Sequence, residues 1–427
     1  MIVTPGSSTH TSSRVVIPFY VYAALCFLLS AVLLLLSADV FQQHYFHPKI
    51  LAITHLMAIG WGTMVILGAS HQLVPVICEG KLYSEKLAYV SFALAAIGIP
   101  ILVYGFFTFN MGNPAKWGGR FVVLAFLSYL INLGKTIANG KSENVHAIFV
   151  FTSVFWLFLT AFFGLALVYN FTYPLMPHDS LHYLPLHAHA GVVGWFLLLV
   201  IGVGSRLIPM FLISKYSNPK LLWVIYFGIN GALISYIFIF YFVDNYIWTF
   251  VPGLLLLISI LLFVRYAYQA FHYRIRKQVD DPMRLSLLSV TMAVLPIFLL
   301  IVIIVSMVVA AHEKTNVVLA YGFMIFFGWI TAIILGMTFK TLPFIVWNKI
   351  YHNRAAFKNT PNPKDLVSSL LFKAMGLCYI IGFVLFIVGV LAPVSIYFLQ
   401  GGALLLVFTA IFYNWNVMQI LWHRPTP

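Results

Sequence analysis

The chain has 427 residues, of which 62% are hydrophobic and 8% charged, and its formal net charge is +14 at pH 7. Soluble domains carry about 25% charged residues, so this composition excludes an ordinary water-soluble protein and predicts an integral membrane protein. The positive net charge alone would suit a nucleic-acid-binding protein. Because Lys and Arg are concentrated between the apolar runs, no nucleic-acid partner is predicted.

Apolar runs recur along the chain and predict about twelve membrane-spanning helices in contact with lipid. They are long enough, or nearly so, to cross a hydrocarbon core of ~30 Å, where the backbone has to be helical because no water is present. The first run follows Arg14 but exceeds a signal-peptide core of roughly 7–15 residues, so we interpret it as a retained span. The predicted spans are approximately 15–36, 51–77, 87–109, 121–139, 147–169, 187–212, 222–242, 246–268, 286–310, 317–345, 367–391 and 394–421.

Lys and Arg are unevenly distributed among the predicted loops. They lie mainly in the even-numbered loops and the two tails, whereas the odd-numbered loops contain few. The positive-inside rule therefore predicts a multi-pass protein of the inner (cytoplasmic) membrane with both termini in the cytoplasm. The densest clusters are Arg274, Arg276, Lys277 and Arg284, followed by Lys349, Arg354, Lys358 and Lys364. The odd loops contain Lys49, Lys116, Arg120 and Lys314.

Three predicted spans share one sequence pattern. Residues 55–75, 189–209 and 323–343 align without gaps at a constant offset of 134 residues. The pattern predicts one membrane domain, residues 1–427, built from three four-helix repeats with pseudo-threefold packing. The repeats are approximately 15–145, 146–285 and 286–421. The recurring glycines and prolines are most simply explained by close packing and by helix kinks. They are Gly60, Gly194 and Gly328 (each before a Trp), Gly68, Gly202 and Gly336, and Pro75, Pro209 and Pro343.

The first position of this pattern holds His55, His189 and Phe323. Under the predicted topology, both histidines lie at equal depth near the outer side of the membrane. Ionisable side chains in a bilayer are costly and usually face the protein interior or a functional site. Imidazole is a common ligand of haem iron and copper. We therefore predict that His55 and His189 bind one haem iron, and the alternative is that both form hydrogen bonds between helices.

His187 precedes His189 by two residues, which places the two side chains about 200° apart on a helix. They cannot both bind one iron, so His187 is a candidate ligand for a second haem or a copper ion. His71 lies ~24 Å along the helix from His55 and cannot share the outer site. Further histidines in the outer loops either recruit copper or are simply solvated: His44, His47, His178, His182 and His312.

Two segments resemble known families. HLMAIGWGTMVILGASHQLVPVI, from residue 55, resembles the second helix of the catalytic subunit of the haem-copper oxidase superfamily, especially its nitric oxide reductase branch. LPLHAHAGVVGWFLLLVIGVGSRLIP, from residue 184, resembles the His-x-His segment of the NnrS family, haem- and copper-containing membrane proteins linked to nitric oxide. Both families have twelve helices, and the oxidases arrange them in three arcs of four. The resemblance implies an oxidase subunit I-like fold with b-type haem and, as a further cofactor, copper.

By this resemblance, His55 corresponds to the low-spin haem ligand of the family's second helix, and His189 lies on the helix that carries a copper ligand. The tenth helix departs from the family, because Tyr321 and Phe323 stand where a His-x-His pair is expected. The seventh span, residues 222–242, has no histidine for copper. A standard haem-copper centre is therefore not encoded, which favours an NnrS-like or divergent member.

The expected function is haem binding for electron transfer or nitric oxide handling, with a quinol or cytochrome c as electron donor. Two alternatives stay open. One is a divergent reductase of nitric oxide or oxygen, and the other is a cofactor-free membrane transporter, since internal repeats also occur in transporters. The sequence identifies no catalytic residue.

Overall fold

The computed structural model describes residues 11–141, 144–243, 245–310, 314–351, 360–392 and 396–424, and the regular elements within them are all helical. In these ranges, twelve helices are long and apolar enough to cross a membrane, which confirms the predicted class and number of spans. They are α1 (Ser13–Leu36), α2 (Pro48–Ile77), α3 (Glu85–Phe107), α4 (Asn113–Ala138), α5 (Val145–Asn170), α6 (Leu184–Leu212), α7 (Pro219–Phe242), α8 (Tyr246–His272), α9 (Asp281–Ala310), α10 (Thr315–Tyr351), α11 (Ser369–Leu391) and α12 (Ile396–Leu421). His312, Arg354 and Lys358 lie outside the described residues.

Polar caps and prolines determine where the helices begin, because the first N–H groups of a helix have no partner within it. Ser84 accepts a hydrogen bond from the third residue of α3, and Asn144 does the same for α5. The fourth helix begins at Asn113, well before the predicted residue 121. Pro114 stands in its first turn, where a missing N–H is harmless and the fixed φ suits a helix.

The loops gather at two opposite ends of the helical bundle. The first, third and fifth loops meet through Phe46, Phe109 and Phe171, whose ring centroids are 6.0–6.2 Å apart. We call this the odd-loop end. The odd-loop cations Lys116 and Arg120 lie against tyrosine and tryptophan rings of the same end. Each of these two charges is therefore stabilised by cation–π contacts with the protein.

The even-numbered loops contact one another at the other end, which we call the even-loop end. The N–H of Lys141 donates to the carbonyl of Cys78 at 2.8 Å, joining the second and fourth loops. The N–H of Ile275 donates to the carbonyl of Ile213 at 3.1 Å, joining the sixth and eighth loops. A chain that crosses a membrane repeatedly places its odd-numbered and even-numbered loops on opposite sides, and the two ends of this bundle fit that arrangement.

Helices α2, α6 and α10 form the interior of the bundle. Between 67% and 72% of their most apolar stretches is buried, against 50% or less for each other described membrane helix. Each contains a π-helical segment: Leu56–Thr63, Ala190–Leu197 and Met324–Ile330. Such segments are rare and frequent at functional sites. They begin directly after residues 55, 189 and 323, the first positions of the repeated pattern, of which His55 and His189 were predicted as site residues.

Two buried tryptophans connect these inner helices. Nε1 of Trp61 donates to the hydroxyl of Thr331 at 3.2 Å, which joins α2 to α10. Nε1 of Trp195 donates to the hydroxyl of Thr63 at 2.9 Å, which joins α6 to α2. A buried indole N–H needs such a partner, so both bonds fix how the helices are rotated against each other.

Glycines let the inner helices approach their neighbours. A Cβ on Gly68 would lie only 2.7 Å from the Cβ of Phe19 on α1. A Cβ on Gly202 would come at least as close to α5, and a Cβ on Gly336 would come at least as close to α9. Small residues drive helix association in membranes because they allow backbones to come close.

We expect Gly68→Val to lower the melting temperature in detergent, because the added side chain forces α1 and α2 apart at a cost of roughly 1–3 kcal/mol. Gly376→Val on α11 is the matched control, since a Cβ there meets no atom within 4 Å. Equal melting temperatures of the two variants would contradict the packing described for α1 and α2.

An ion pair joins the beginning of α9 to α10 at the even-loop end. Nζ of Lys340, whose side chain is 12% exposed, lies 2.7 Å from Oδ2 of Asp280. Asp280 also caps α9 through the N–H of Met283, and Arg276 lies 3.5 Å from its carboxylate. Burial raises the pKa of the Asp280 carboxyl group, but Lys340, the Met283 N–H and Arg276 outweigh burial and hold that pKa below its ordinary value.

Asp280→Asn removes the charge and keeps a good helix cap. We expect it to lower the free energy of unfolding by roughly 1–2 kcal/mol at pH 7. A depressed carboxyl pKa stabilises the fold above the unfolded value of ~3.9, and this contribution is lost as pH falls through the folded pKa. The difference from wild type, measured by thermal unfolding, should therefore be constant well above pH 4, shrink as the pH falls below about 4, and vanish only below the folded pKa. Asp281→Asn, which removes a more exposed carboxylate, is the control.

Candidate functional site

A cavity of about 720 Å³ opens inside the bundle toward the odd-loop end. Its wall is mostly apolar, and it is bordered by residues of all three inner helices together with α3, α4, α5, α7, α8 and α9. Pockets of this size and character are typical of cofactor and ligand sites. All three histidines predicted as site residues line it, namely His55, His187 and His189, and Tyr236 and Tyr321 are among the tyrosines beside them.

His55 on α2 faces His187 on α6. Their ring centroids are 6.2 Å apart and the ring planes differ by 18°. Phe106 on α3 supports the His55 ring at 4.5 Å. Gly164 on α5 leaves room for the other ring, because a Cβ there would lie 2.6 Å from Cε1 of His187. The pair is therefore held from both sides by neighbouring helices.

Backbone carbonyls one helical turn earlier orient two of the three imidazoles. Nδ1 of His55 donates to the carbonyl of Leu51 at 2.8 Å, and Nδ1 of His189 donates to the carbonyl of Pro185 at 2.7 Å. A carbonyl can only accept, so the proton of the neutral ring is on Nδ1 and the lone pair is on Nε2. Metal-binding histidines are held in the same way, with one nitrogen on the backbone and the other toward the metal.

His187 lacks such a partner. Its Nδ1 is completely enclosed and makes no hydrogen bond within the described part of the chain; the nearby Thr160 carbonyl lies outside hydrogen-bonding geometry. The hydroxyl of Thr160, in the same cavity wall, is also buried and without a partner there. Each unsatisfied buried polar group costs about 1–3 kcal/mol. Two such atoms therefore lie in one wall of the cavity.

His189 lies among tyrosines. Its Nε2 is 3.4 Å from the hydroxyl of Tyr321 on α10, and the centroid of the Tyr236 ring on α7 is 5.2 Å from that of His189. Sequence reasoning grouped His55 with His189, whereas the structure places His187 beside His55 and Tyr321 beside His189. His187 and His189 have different ring neighbours, as expected for residues about 200° apart on a helix.

The two ring pairs occupy equivalent positions in the sequence pattern. His187 and Tyr321 are 134 residues apart, as are His55 and His189. The centroid distance in the second pair, His189 and Tyr321, is also 6.2 Å. At the third equivalent position Phe323 lies in a stack of phenylalanines, so this interface is filled. The cavity therefore contains two similar pairs of rings, one with two imidazoles and one with an imidazole and a phenol.

Sequence reasoning missed three residues of this site. Tyr321 was noted only as a departure from a family pattern, although the 134-residue offset already places it at the position of His187. Tyr236 and Gly164 have no comparable signal, since each is one of many aromatic or small residues in the spans. His71, which the sequence predicted to lie away from the outer site, does not border the cavity and lies between the rings of Phe19 and Tyr129.

Metal binding by protein groups alone has little support here. Among the residues that the structure describes, no three His, Cys, Asp or Glu side chains converge as ligands for one metal ion. None of the three cysteines borders the cavity. The ring pairs thus offer at most two protein ligands to any bound group. A scan of protein-family models finds no match to the chain.

Proposed function

We propose that this membrane protein binds a haem between α2 and α6, and that it acts in electron transfer or in nitric oxide handling. The observation that carries the proposal is the facing pair of imidazoles, His55 and His187, in a cavity of cofactor size. Because no cysteine borders the cavity, a b-type haem, which is held without covalent bonds, fits the site best.

The distance between the two rings supports a shared iron. Metal–nitrogen bonds of roughly 2.0 Å place a metal about 3.1 Å from the centroid of each imidazole. Two ligands on opposite sides of one metal would then have centroids about 6.2 Å apart. The centroids of His55 and His187 are 6.2 Å apart. We therefore assign to His187 the second ligand position that the sequence had suggested for His189.

The small number of protein ligands also favours haem over a bare ion. Zinc and copper sites generally need three or more protein ligands, whereas haem iron already has four porphyrin nitrogens and takes one or two from the protein. When bound, a haem with two imidazole ligands supplies a one-electron redox centre. Around it, His55 and His187 provide orientation, the Leu51 carbonyl makes the His55 ring a stronger ligand, and the apolar wall excludes water.

A second group, either a copper ion or a second haem, would be bound by His189 rather than by His187. Nε2 of His189 carries a lone pair, and the hydroxyl groups of Tyr236 and Tyr321 border the same space. The electron donor, a quinol or a cytochrome c, stays a proposal that rests on the resemblance alone.

We further propose that the helices form three four-helix repeats, residues 15–145, 146–285 and 286–421, arranged like the oxidase catalytic subunit. The regular offset of the π-helical segments supports this arrangement. The tryptophan bonds also support it. Trp61 of the first repeat donates to a threonine of the third repeat, and Trp195 of the second repeat donates to the equivalent threonine of the first. The second repeat has Leu197 at this threonine position, so a third equivalent bond cannot form.

The distribution of Lys and Arg supports an inner-membrane protein with both termini in the cytoplasm. The basic loops share the even-loop end, and the cavity opens at the other end. Under the positive-inside rule, the even-loop end faces the cytoplasm. The haem would then lie near the outer side of the bilayer.

Expression with ample haem should yield a purified protein with the Soret band of a low-spin, six-coordinate haem. We expect His55→Ala and His187→Ala each to lose that spectrum, because each removes one of the two imidazoles that would hold the haem, while His189→Ala keeps it. Gly164→Ala should weaken haem retention, since its methyl group would displace the His187 ring. Absorption spectra with iron analysis of all five proteins measure this.

Other outcomes of this experiment would favour a different ligand pair or a different function. Loss of the low-spin spectrum in His189→Ala but not in His187→Ala would restore the ligand pair expected from sequence. A folded wild-type protein without a Soret band would overturn haem binding and favour the cofactor-free transporter.

A divergent reductase of nitric oxide or oxygen is the second candidate function. The observation that favours it is the pair of tyrosine hydroxyls beside His189, which are suitable proton donors for a reducible ligand. Such an enzyme needs an iron with an open position. If this function holds, we expect the reduced protein to bind carbon monoxide. The spectrum of the carbon monoxide complex should then differ between wild type and Tyr321→Phe. Reduced spectra unaffected by carbon monoxide would exclude it.

A further inference from the structure

A groove of about 470 Å³ lies on the outside of the bundle, between α3 and α4. Its lining comprises Pro100, Ile101 and Tyr104 of α3 with Asn113, Pro114 and Trp117 of α4. Tyr104 and Trp117 are 61% and 51% exposed, so the groove is open to the surroundings of the bundle. None of the six residues borders the cavity between the inner helices, so the groove is a separate feature.

The groove extends from the odd-loop end toward the middle of the membrane helices. Because α3 ends at Phe107 and α4 begins at Asn113, the residues nearest to these positions lie at the odd-loop end. Pro100 is seven residues before the end of α3, which places it ~10 Å deeper at 1.5 Å per residue. Asn113 is exposed, and its side chain makes no hydrogen bond within the described part of the chain. The groove is therefore apolar at depth and has a free polar group near the surface.

Two cations lie beside this groove. The guanidinium carbon of Arg120 is 4.4 Å from the centroid of the Trp117 ring, which lines the groove. Nζ of Lys116 and the guanidinium carbon of Arg120 lie 5.2 Å and 5.6 Å from the centroid of one ring, that of Tyr169 on α5. Nε of Arg120 also donates to the hydroxyl of Tyr169 at 2.8 Å. Two positive charges thus share one phenol ring.

Neither cation has an acidic partner in the protein. Among the residues that the structure describes, the carboxylates that form ion pairs do so with other cations, at the even-loop end. Like charges that are close together repel each other, and an anion between them would relieve the repulsion. Helix side chains lean toward the N-terminus of their helix, which for α4 is the odd-loop end. The charge of Arg120 therefore lies toward the level at which lipid phosphate groups are found.

The groove and the cations together indicate the chemistry of the occupant. A free phosphate ion would satisfy Arg120, because a guanidinium group matches phosphate oxygens in a two-point hydrogen bond, but it would leave the apolar groove empty. An uncharged apolar molecule would fill the groove and leave both cations without a counter-ion. A phospholipid satisfies both requirements, and two neighbouring positive charges favour one with a net negative charge.

We propose that the groove between α3 and α4 binds one anionic phospholipid, with an acyl chain along the groove and its phosphate group on Arg120. The Trp117 ring lies between the acyl chain and the guanidinium group, and Lys116 adds to the positive potential. The site requires no haem. On the opposite face of α3, Phe106 contacts the His55 ring, so this lipid packs against the helix that supports His55.

The test counts the lipid molecules retained by purified, delipidated protein, using native mass spectrometry in micelles that contain phosphatidylglycerol or phosphatidylcholine with the same acyl chains. We expect wild type to retain one phosphatidylglycerol molecule about fivefold more strongly than phosphatidylcholine. Arg120→Gln should lose this preference. The matched control is Lys314→Gln, which removes another cation of the odd-loop end, between α9 and α10, and should keep the preference.

A second pair of variants tests the position of the acyl chain. Ile101→Trp should weaken retention of both lipids, because the larger side chain occupies the groove. Ile97→Trp is its control, since Ile97 lies one turn earlier on the same face of α3, is 52% exposed and does not line the groove.

A wild-type protein without preference for phosphatidylglycerol would overturn the proposal. So would a preference that persists in Arg120→Gln, or retention by Ile101→Trp at the wild-type level. Equal losses in Lys314→Gln or Ile97→Trp would also overturn it, because they would show a general effect of charge or bulk. The Soret band of Arg120→Gln should match that of wild type, so the outcome is independent of haem binding.

Discussion

A hydrocarbon layer offers no hydrogen-bond partner to a peptide group, and this constraint shapes the whole protein. Each of the described spans satisfies its backbone within a helix, so the helices can differ only in how their side chains pack. Glycines such as Gly68 and Gly202 then decide which helices come close, and the indoles of Trp61 and Trp195 fix their rotation. The inner position of α2, α6 and α10 follows from these contacts.

The same constraint makes polar side chains in the interior informative. His55 and His189 each have a hydrogen-bond partner on the backbone one turn earlier. In the described part of the chain, both ring nitrogens of the buried His71 lack one. His187 finds none for Nδ1, although it is enclosed by protein. A polar atom left without a partner costs stability, and in His187 this atom lies in the wall of a cavity of cofactor size.

The three interfaces between the inner helices form a graded series. Between α2 and α6 two imidazoles face each other, and between α6 and α10 an imidazole faces a phenol at the same centroid distance. Between α10 and α2 the equivalent position is Phe323, which is packed among other phenylalanines. A common packing geometry thus carries a different set of side chains at each of the three interfaces.

Much of the architecture could be predicted from the order of the residues. The apolar runs determined the number and approximate limits of the helices, since only length and hydropathy are needed for a span. The recurring pattern also identified the helices that carry His55, His187 and His189, and periodicity showed that His187 and His189 face different neighbours. What the sequence could not decide was the partner of each ring. Side chains from helices 132 residues apart meet only after the rotation and depth of both helices are set by long-range contacts such as those of Gly164 and Trp195. For that reason the tertiary structure alone placed His187 beside His55 and brought Tyr236 and Tyr321 to His189.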